Sequence, residues 1–334
     1  MLEIKHTLCP SCSVGCGLNV VLNDGEIVGT FPYKRHPVNA GKNCLNGRNS
    51  IDCYLNKFGD VDVSKLISEV SKELDGVEAS DVTLLCSGNN SLEEIEAIAK
   101  FGESKNYNVA FYADNLKNFS DVASYDDIAG ANKVFVIGDI LYENPLIGRR
   151  IVHAKQNGAE IYALGKTEKS VTFSIADKTY NTSIDEFLSS CEIDNSSVVV
   201  FNYVDSQDDL IKIEELDCKG LPVFSKSNSK GALDIIDAKS LDEMIDMFEN
   251  TQVLVVFDDD VTCEFDFDFT KLSKIITFAS CENNTTKMSD ITVPIKTWLE
   301  KDGSFVNSMG DVQTFSTIVD SDELGIIEII DKLN

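Results

Sequence analysis

The chain has 334 residues, 43% of them hydrophobic and 25% charged, with a formal net charge of −27. That length can bury a sizeable core and predicts two or three domains. The acidity excludes a nucleic-acid binder, whose phosphates it would repel, and no apolar run reaches the ~20 residues that span a bilayer. The start Met1–His6 carries neither a secretory nor a twin-arginine leader, so a cytoplasmic protein without membrane association is expected.

The first fifty residues hold the most specific signal. Cys9, Cys12 and Cys16 fall within eight residues, and Cys44 follows after a further twenty-seven. Three thiols on one short loop plus a fourth from a distant turn suit the corners of a [4Fe–4S] cluster. Structural zinc, the rival, draws its ligands mostly as two separated CxxC-type pairs. Structural or free thiols are the third reading. The other six cysteines, Cys53, Cys86, Cys191, Cys218, Cys263 and Cys281, show no ligand spacing and are expected as small buried hydrophobes. Residues 1–58 carry six Lys/Arg against four Asp/Glu, a net of +2 that leaves −29 for the rest. This mildly basic end is where an acidic redox partner could dock.

Residues 1–58 read as a small cluster domain, with strands Leu18–Leu22 and Glu26–Thr30 joined by the turn Asn23-Asp24-Gly25. His36 is expected at the surface or hydrogen-bonded, not as a ligand. From residue 59 strands and helices alternate. Strands are predicted at 81–86, 108–112, 133–137, 160–164, 197–203, 221–224, 252–257 and 275–279. Capping boxes at Ser91–Glu94 and Ser240–Glu243 open two of the helices. Others are predicted at 122–129, 145–157, 184–191, 208–216 and 323–333. Such alternation predicts parallel, doubly wound sheets with helices on both faces. Residues 59–118 with 238–334 are expected as one α/β domain and 119–237 as an inserted Rossmann-like one. Ligands of such sheets bind outside the carboxyl ends of the strands, here the loops 87–90, 138–144, 165–167, 225–230 and 258–262.

The stretch CPSCSVGCGLNVVLNDGEIVGTFPYKRHPVNAGKNC closely resembles the N-terminus of the catalytic alpha subunit of formate dehydrogenases in the molybdopterin oxidoreductase family, above all the deazaflavin-using enzymes of methanogens. VFVIGDILYENPLIGRRIVHAKQNGAEIYAL and SDITVPIKTWLEKDGSFVNSMGDVQ are similar to later family segments. The resemblance implies a [4Fe–4S] cluster on Cys9, Cys12, Cys16 and Cys44 beside molybdenum or tungsten held by two pterin guanine dinucleotides. It also implies the family's α/β body, here without the C-terminal β-rich domain.

Several family features are replaced. The lysine two residues after the last cluster cysteine is Asn46, and the region of the metal-ligating residue, 114–127, has no Cys, His or Arg. The Gly-x-Asn-Pro loop reads Gly138-Asp139-Ile140-Leu141, with Asn144-Pro145 displaced. The Asp that reads guanine falls in Gly165-Lys166, and the second nucleotide loop is Asp258-Asp259-Asp260, three carboxylates expected to repel a diphosphate. The family arginine before the last Val-Gln is Asp311. Gly303, Asn307 and the loop Ser229-Lys230-Gly231-Ala232 match the family and read as scaffold.

Three functions stay open. The chain is an electron-transfer subunit relaying electrons through one [4Fe–4S] cluster, partnered by a flavin-containing formate dehydrogenase beta-like subunit or by hydrogenase or heterodisulfide reductase modules. Alternatively it is a competent molybdopterin or tungstopterin formate dehydrogenase completed by another chain. A non-catalytic scaffold or assembly protein is the third.

Overall fold

The computed structural model describes residues 1–113 and 117–334. An N-terminal antiparallel sheet is built from β1 (Leu2–Leu8), β2 (Gly17–Asn23) and β3 (Glu26–Pro32), in that order. Asp24 and Gly25 both take left-handed backbone (φ 53° and 92°), as a two-residue hairpin turn between right-twisted strands requires. β1 was not foreseen, because Leu2 and Ile4 stay exposed and its ladder with β2, not burial, holds it.

Two five-stranded parallel sheets follow. Strands β4 (Val82–Cys86) and β5 (Asn108–Phe111) start the first. The chain then builds β6 (Lys133–Ile137), β7 (Glu160–Leu164), β8 (Lys178–Tyr180), β9 (Ser197–Phe201) and β10 (Lys219–Pro222). It returns with β11 (Val253–Phe257), β12 (Lys274–Ala279) and β13 (Ile291–Pro294), before a hairpin of β14 (Gly303–Val306) and β15 (Val312–Phe315). The orders are β13-β12-β11-β4-β5 and β10-β9-β6-β7-β8. The fold is therefore α/β with doubly wound parallel sheets behind a small N-terminal domain. Every residue of β4, β9 and β11 is buried, the pattern of central strands covered by helices on both faces.

Both predicted capping boxes form. Ser91 and Glu94 exchange hydrogen bonds at the start of helix Leu92–Lys105, as do Ser240 and Glu243 before Leu241–Glu249. Helix Val63–Asp75 escaped the sequence reading although Ile67, Val70 and Leu74 form its buried stripe. Among the described residues no helix is long and apolar enough to cross a membrane.

The cysteine expectation needs correction. Cys53, on the short helix Asp52–Leu55, forms a disulfide with Cys281, just past β12. Cys263 is exposed and Cys191 and Cys218 are half-buried, so only Cys86 of the six is a fully buried free thiol. Spacing could not reveal the pair, because 228 residues separate its members.

Strand order reverses between β4 and β11 in one sheet and between β6 and β9 in the other. Crevices outside the carboxyl ends at such points are where ligands of open α/β sheets bind.

Candidate iron–sulfur site and cleft

Cys9, Cys12, Cys16 and Cys44 line one small cavity with Val14, Asn43, Gly47, Asn144, Pro145 and Leu146. The three-cysteine loop is closed by Cys9 N–H donating to the Cys16 carbonyl at 2.8 Å. Gly15 permits the turn with φ 74°. Ser13 ties the loop to the end of β10: its hydroxyl accepts from Phe224 N–H at 2.8 Å. Tyr125 OH donates to the Val14 carbonyl at 2.8 Å.

The Cys44 arm arrives through Ala40 and Gly41, both left-handed. Asn39, 2% exposed, fastens it. Its side chain accepts from Gly17 N–H and donates to the carbonyls of Gly17 and Lys42. No sequence signal short of the fold marked Asn39, Asn43 or Tyr125. His36 packs its ring against Gly17, where a Cβ would collide with it, and does not line the cavity.

The cavity fits a cluster on several counts. Four thiols lining one cavity are the donor set of a [4Fe–4S] cluster. A Cβ on Gly47 would stand 3.4 Å from Cys9 Sγ and 3.9 Å from Cys44 Sγ, so glycine keeps one wall clear. Gly47 N–H donates to Cys44 Sγ at 3.4 Å, and the buried amide nitrogen of Asn43 has no partner among the described residues. Burial pushes the thiols of Cys9 and Cys16 up, and that of Cys12 up to about 12. Iron binding here therefore has to displace protons. The Arg150 guanidinium opposes burial at Cys16; it lies 4.9 Å from the Tyr125 ring centre and donates to the Val38 carbonyl. A [4Fe–4S] cluster held there would supply one-electron transfer.

A notch beside the cavity, lined by Cys12, Cys44, Leu45, Asn46, Tyr142 and Asn144 among others, leads toward a cleft between the two sheets. The cleft encloses about 2090 Å³ of atom-free space, including its open side. Loops 138–144, 165–167 and 225–230 contribute to it as expected from strand order; 87–90 and 258–262 do not. Tyr112, Tyr203, Lys239 and Asp242, which sequence reasoning passed over, do.

The aspartate loop after β11 is the largest departure from expectation. Its carboxylates do not stand ready to repel a diphosphate, because each is turned onto the protein itself. Asp258, with φ 54°, accepts from Ser280 N–H and Oγ. Asp259 accepts from Lys226 Nζ at 2.7 Å and from Tyr112 OH at 3.3 Å. Asp260 accepts from Thr285 N–H and Oγ1 and from Asn284. Lys226 also pairs with Glu264 at 3.4 Å and stands 4.2 Å over the Tyr112 ring.

At the other crevice the Asp139 carboxylate accepts from the N–H groups of Val171 and Thr172. Asn202 lies so close to Gly138 that a Cβ there would collide with its Oδ1, and Lys166 stands over the Tyr203 ring at 4.0 Å. At both crevices side chains of the chain itself engage polar groups that the phosphates and guanines of two pterin guanine dinucleotides would need.

The region expected to hold a metal-ligating residue begins at 114–116, which lie outside the described residues. Beyond them, Ser124 and Asp127 close a capping box on helix Tyr125–Gly130. Asp311, in place of the family arginine, donates its N–H to Asn307 and accepts from that side chain. Gly303 sits where a Cβ would strike Phe315 and Ser91; these two family matches serve packing and a turn.

Comparison with known proteins matches residues 2–56 to the molybdopterin oxidoreductase Fe4S4 domain and residues 40–323 to the molybdopterin oxidoreductase domain. The chain belongs to the molybdopterin oxidoreductase family. It is 33% identical over 196 residues to the F420-dependent formate dehydrogenase 1 subunit alpha of Methanococcus maripaludis, a match covering 49% of this chain and 28% of that one. A subunit of the same description from Methanocaldococcus jannaschii is 29% identical over 195 residues, again 28% of its length. The matched stretch thus spans under a third of these formate dehydrogenase alpha subunits. Among solved structures, acetylene hydratase from Pelobacter acetylenicus superposes with a TM-score of 0.65 at 11% identity, covering 98% of this chain and 69% of that one, which bears on fold alone. The family's Fe4S4 domain supports the [4Fe–4S] assignment.

Proposed function

We propose that this family member is an electron-relay subunit of a larger oxidoreductase related to formate dehydrogenase alpha. In this reading Cys9, Cys12, Cys16 and Cys44 ligate one [4Fe–4S] cluster that passes single electrons, and the pterin and its metal are not used. The observation that carries it is the internal occupancy of the nucleotide crevices, above all Lys226 and Asp259 paired at 2.7 Å with side chains 10% and 3% exposed. A buried pair of that kind leaves no free ammonium for a diphosphate. The partners are other redox subunits, a flavin-containing formate dehydrogenase beta-like chain or hydrogenase or heterodisulfide reductase modules.

One observation favours a second reading, a tungsten- or molybdenum-pterin formate dehydrogenase completed by another chain: the cleft is still large, about 2090 Å³. Elemental analysis of anaerobically purified protein separates the two. Iron and sulfide at about four each, no tungsten or molybdenum, and a dithionite-reducible S = 1/2 EPR signal are expected. Stoichiometric tungsten or molybdenum with extractable guanine-dinucleotide pterin would overturn the relay reading, and zinc in place of iron would overturn both.

A further inference from the structure

Two asparagines line the cysteine cavity, and the orientation of each is fixed by a hydrogen-bonding neighbour, directly for Asn43 and through Asn202 for Asn144. On the Cys44 side, Arg48 Nε donates to Asn43 Oδ1 at 3.4 Å. A guanidinium has no acceptor, so the amide oxygen of Asn43 must face it and the NH2 group must face away. That nitrogen is buried, has no acceptor among the described residues, and belongs to a side chain lining the cavity.

On the Cys12 side the chain of donors starts from Glu143, whose carboxylate accepts from Asn202 Nδ2. Asn202 Nδ2 also donates to Asn144 Oδ1 at 3.3 Å. With its oxygen so engaged, Asn144 has its NH2 free to serve the cavity that it lines together with Cys12. Asn144 is 4% exposed and precedes helix Pro145–Gln156, whose N-terminal residues Pro145 and Leu146 share the cavity wall.

We propose that Asn43 and Asn144 are paired amide donors to the sulfurs of the cluster and its thiolates, and that they raise its reduction potential. The proposal rests on the cluster reading above. Reduction adds one negative charge inside a low-dielectric cavity. An N–H···S bond stabilises the more negative state more than the oxidised one, so each donor moves the potential upward. Arg150 and the positive end of helix Pro145–Gln156 act with the same sign. Asn144 also lines the notch beside the cavity together with Cys12 and Cys44.

The test is an EPR-monitored redox titration of the anaerobic full-length protein beside Asn43→Leu, Asn144→Leu and the double variant, with iron and sulfide measured on each sample. Full iron content with a midpoint lowered in each single variant, lowered further in the double, and partly restored by Asn43→Gln is the expected result. Unchanged midpoints in cluster-replete variants would overturn the proposal, since a merely structural role loses iron without moving the potential. Should a variant lose its cluster, the wild type decides: pulsed EPR of reduced protein labelled with ¹⁵N-asparagine should show nitrogen coupling to the cluster, and no coupling overturns the assignment. A wild type without iron would instead overturn the cluster reading itself.

Discussion

Lys226 Nζ lies 2.7 Å from Asp259 Oδ2 in the angle between the two sheets, where Tyr112 OH also reaches the same oxygen. Their loops follow β10 and β11, on different sheets, so this one contact both bridges the cleft wall and cancels a buried charge. Asp259→Asn leaves the ammonium with only Glu264 and should cost about 3 kcal/mol, the usual scale for breaking a buried pair. Lys226→Met with Asp259→Leu removes both charges and should recover most of that loss. Thermal midpoints of the three proteins decide, and equal losses in the single and double variants would contradict the argument.

Cys12→Ser should lose most of the iron and loosen residues 1–58, because a small domain leans on its metal. Iron and sulfide assays on anaerobic protein check it; wild-type stoichiometry would remove Cys12 from the ligand set.

Gly47→Val places branched carbon against Cys9 Sγ and Cys44 Sγ, on the wall that glycine keeps clear. Iron content should fall well below wild type while far-UV circular dichroism is retained, since Gly47 lies in a five-residue helix at the edge of the fold. A valine variant that keeps its iron would show that the cluster does not approach this wall.

Acid should destabilise the protein by a specific set of carboxylates. Burial raises the carboxyls of Asp139, Asp260 and Glu300, but their donors outweigh it. Those donors are Val171 and Thr172 for Asp139, Thr285 and Asn284 for Asp260, and Lys57 and Thr297 for Glu300; all three carboxyls are held below their ordinary values of 3.8, 3.8 and 4.5. A lowered native value means stability that is full above the ordinary range and lost as pH falls through the native values. Asp258 has the opposite sign: burial raises it, so its contribution is lost as pH rises from 3.8 upward. Melting temperatures between pH 3 and 6 should drop steeply below about pH 4, and Asp260→Asn should flatten that limb.

The Cys53–Cys281 bond joins the N-terminal domain to the carboxyl end of β12 across 228 residues. Cys281→Ser should lower stability by up to about 5 kcal/mol on the chain-entropy scale. Dithiothreitol should reproduce that loss in the wild type and add nothing in the variant. Unfolding curves with and without reductant test both statements.

What sequence alone determined is what short-range pattern can carry. The spacing of Cys9, Cys12, Cys16 and Cys44 pointed to a cluster. Apolar runs such as 133–137 and 253–257, with capping boxes at Ser91 and Ser240, marked an α/β chain, because strand burial and helix termination are written in neighbouring residues. Helix Val63–Asp75 is equally written in its sequence, through the buried stripe of Ile67, Val70 and Leu74. The tertiary structure alone decided the rest. Asp259 looked like a free repulsive carboxylate until the fold brought Lys226 to it, and Cys53 looked like a lone thiol until β12 delivered Cys281. Asn144 is oriented toward the cavity by Asn202, fifty-eight residues further along the chain. A side chain's partner is set by which loops meet at the carboxyl ends of two sheets, and that depends on the packing of the whole chain, not on the residues beside it.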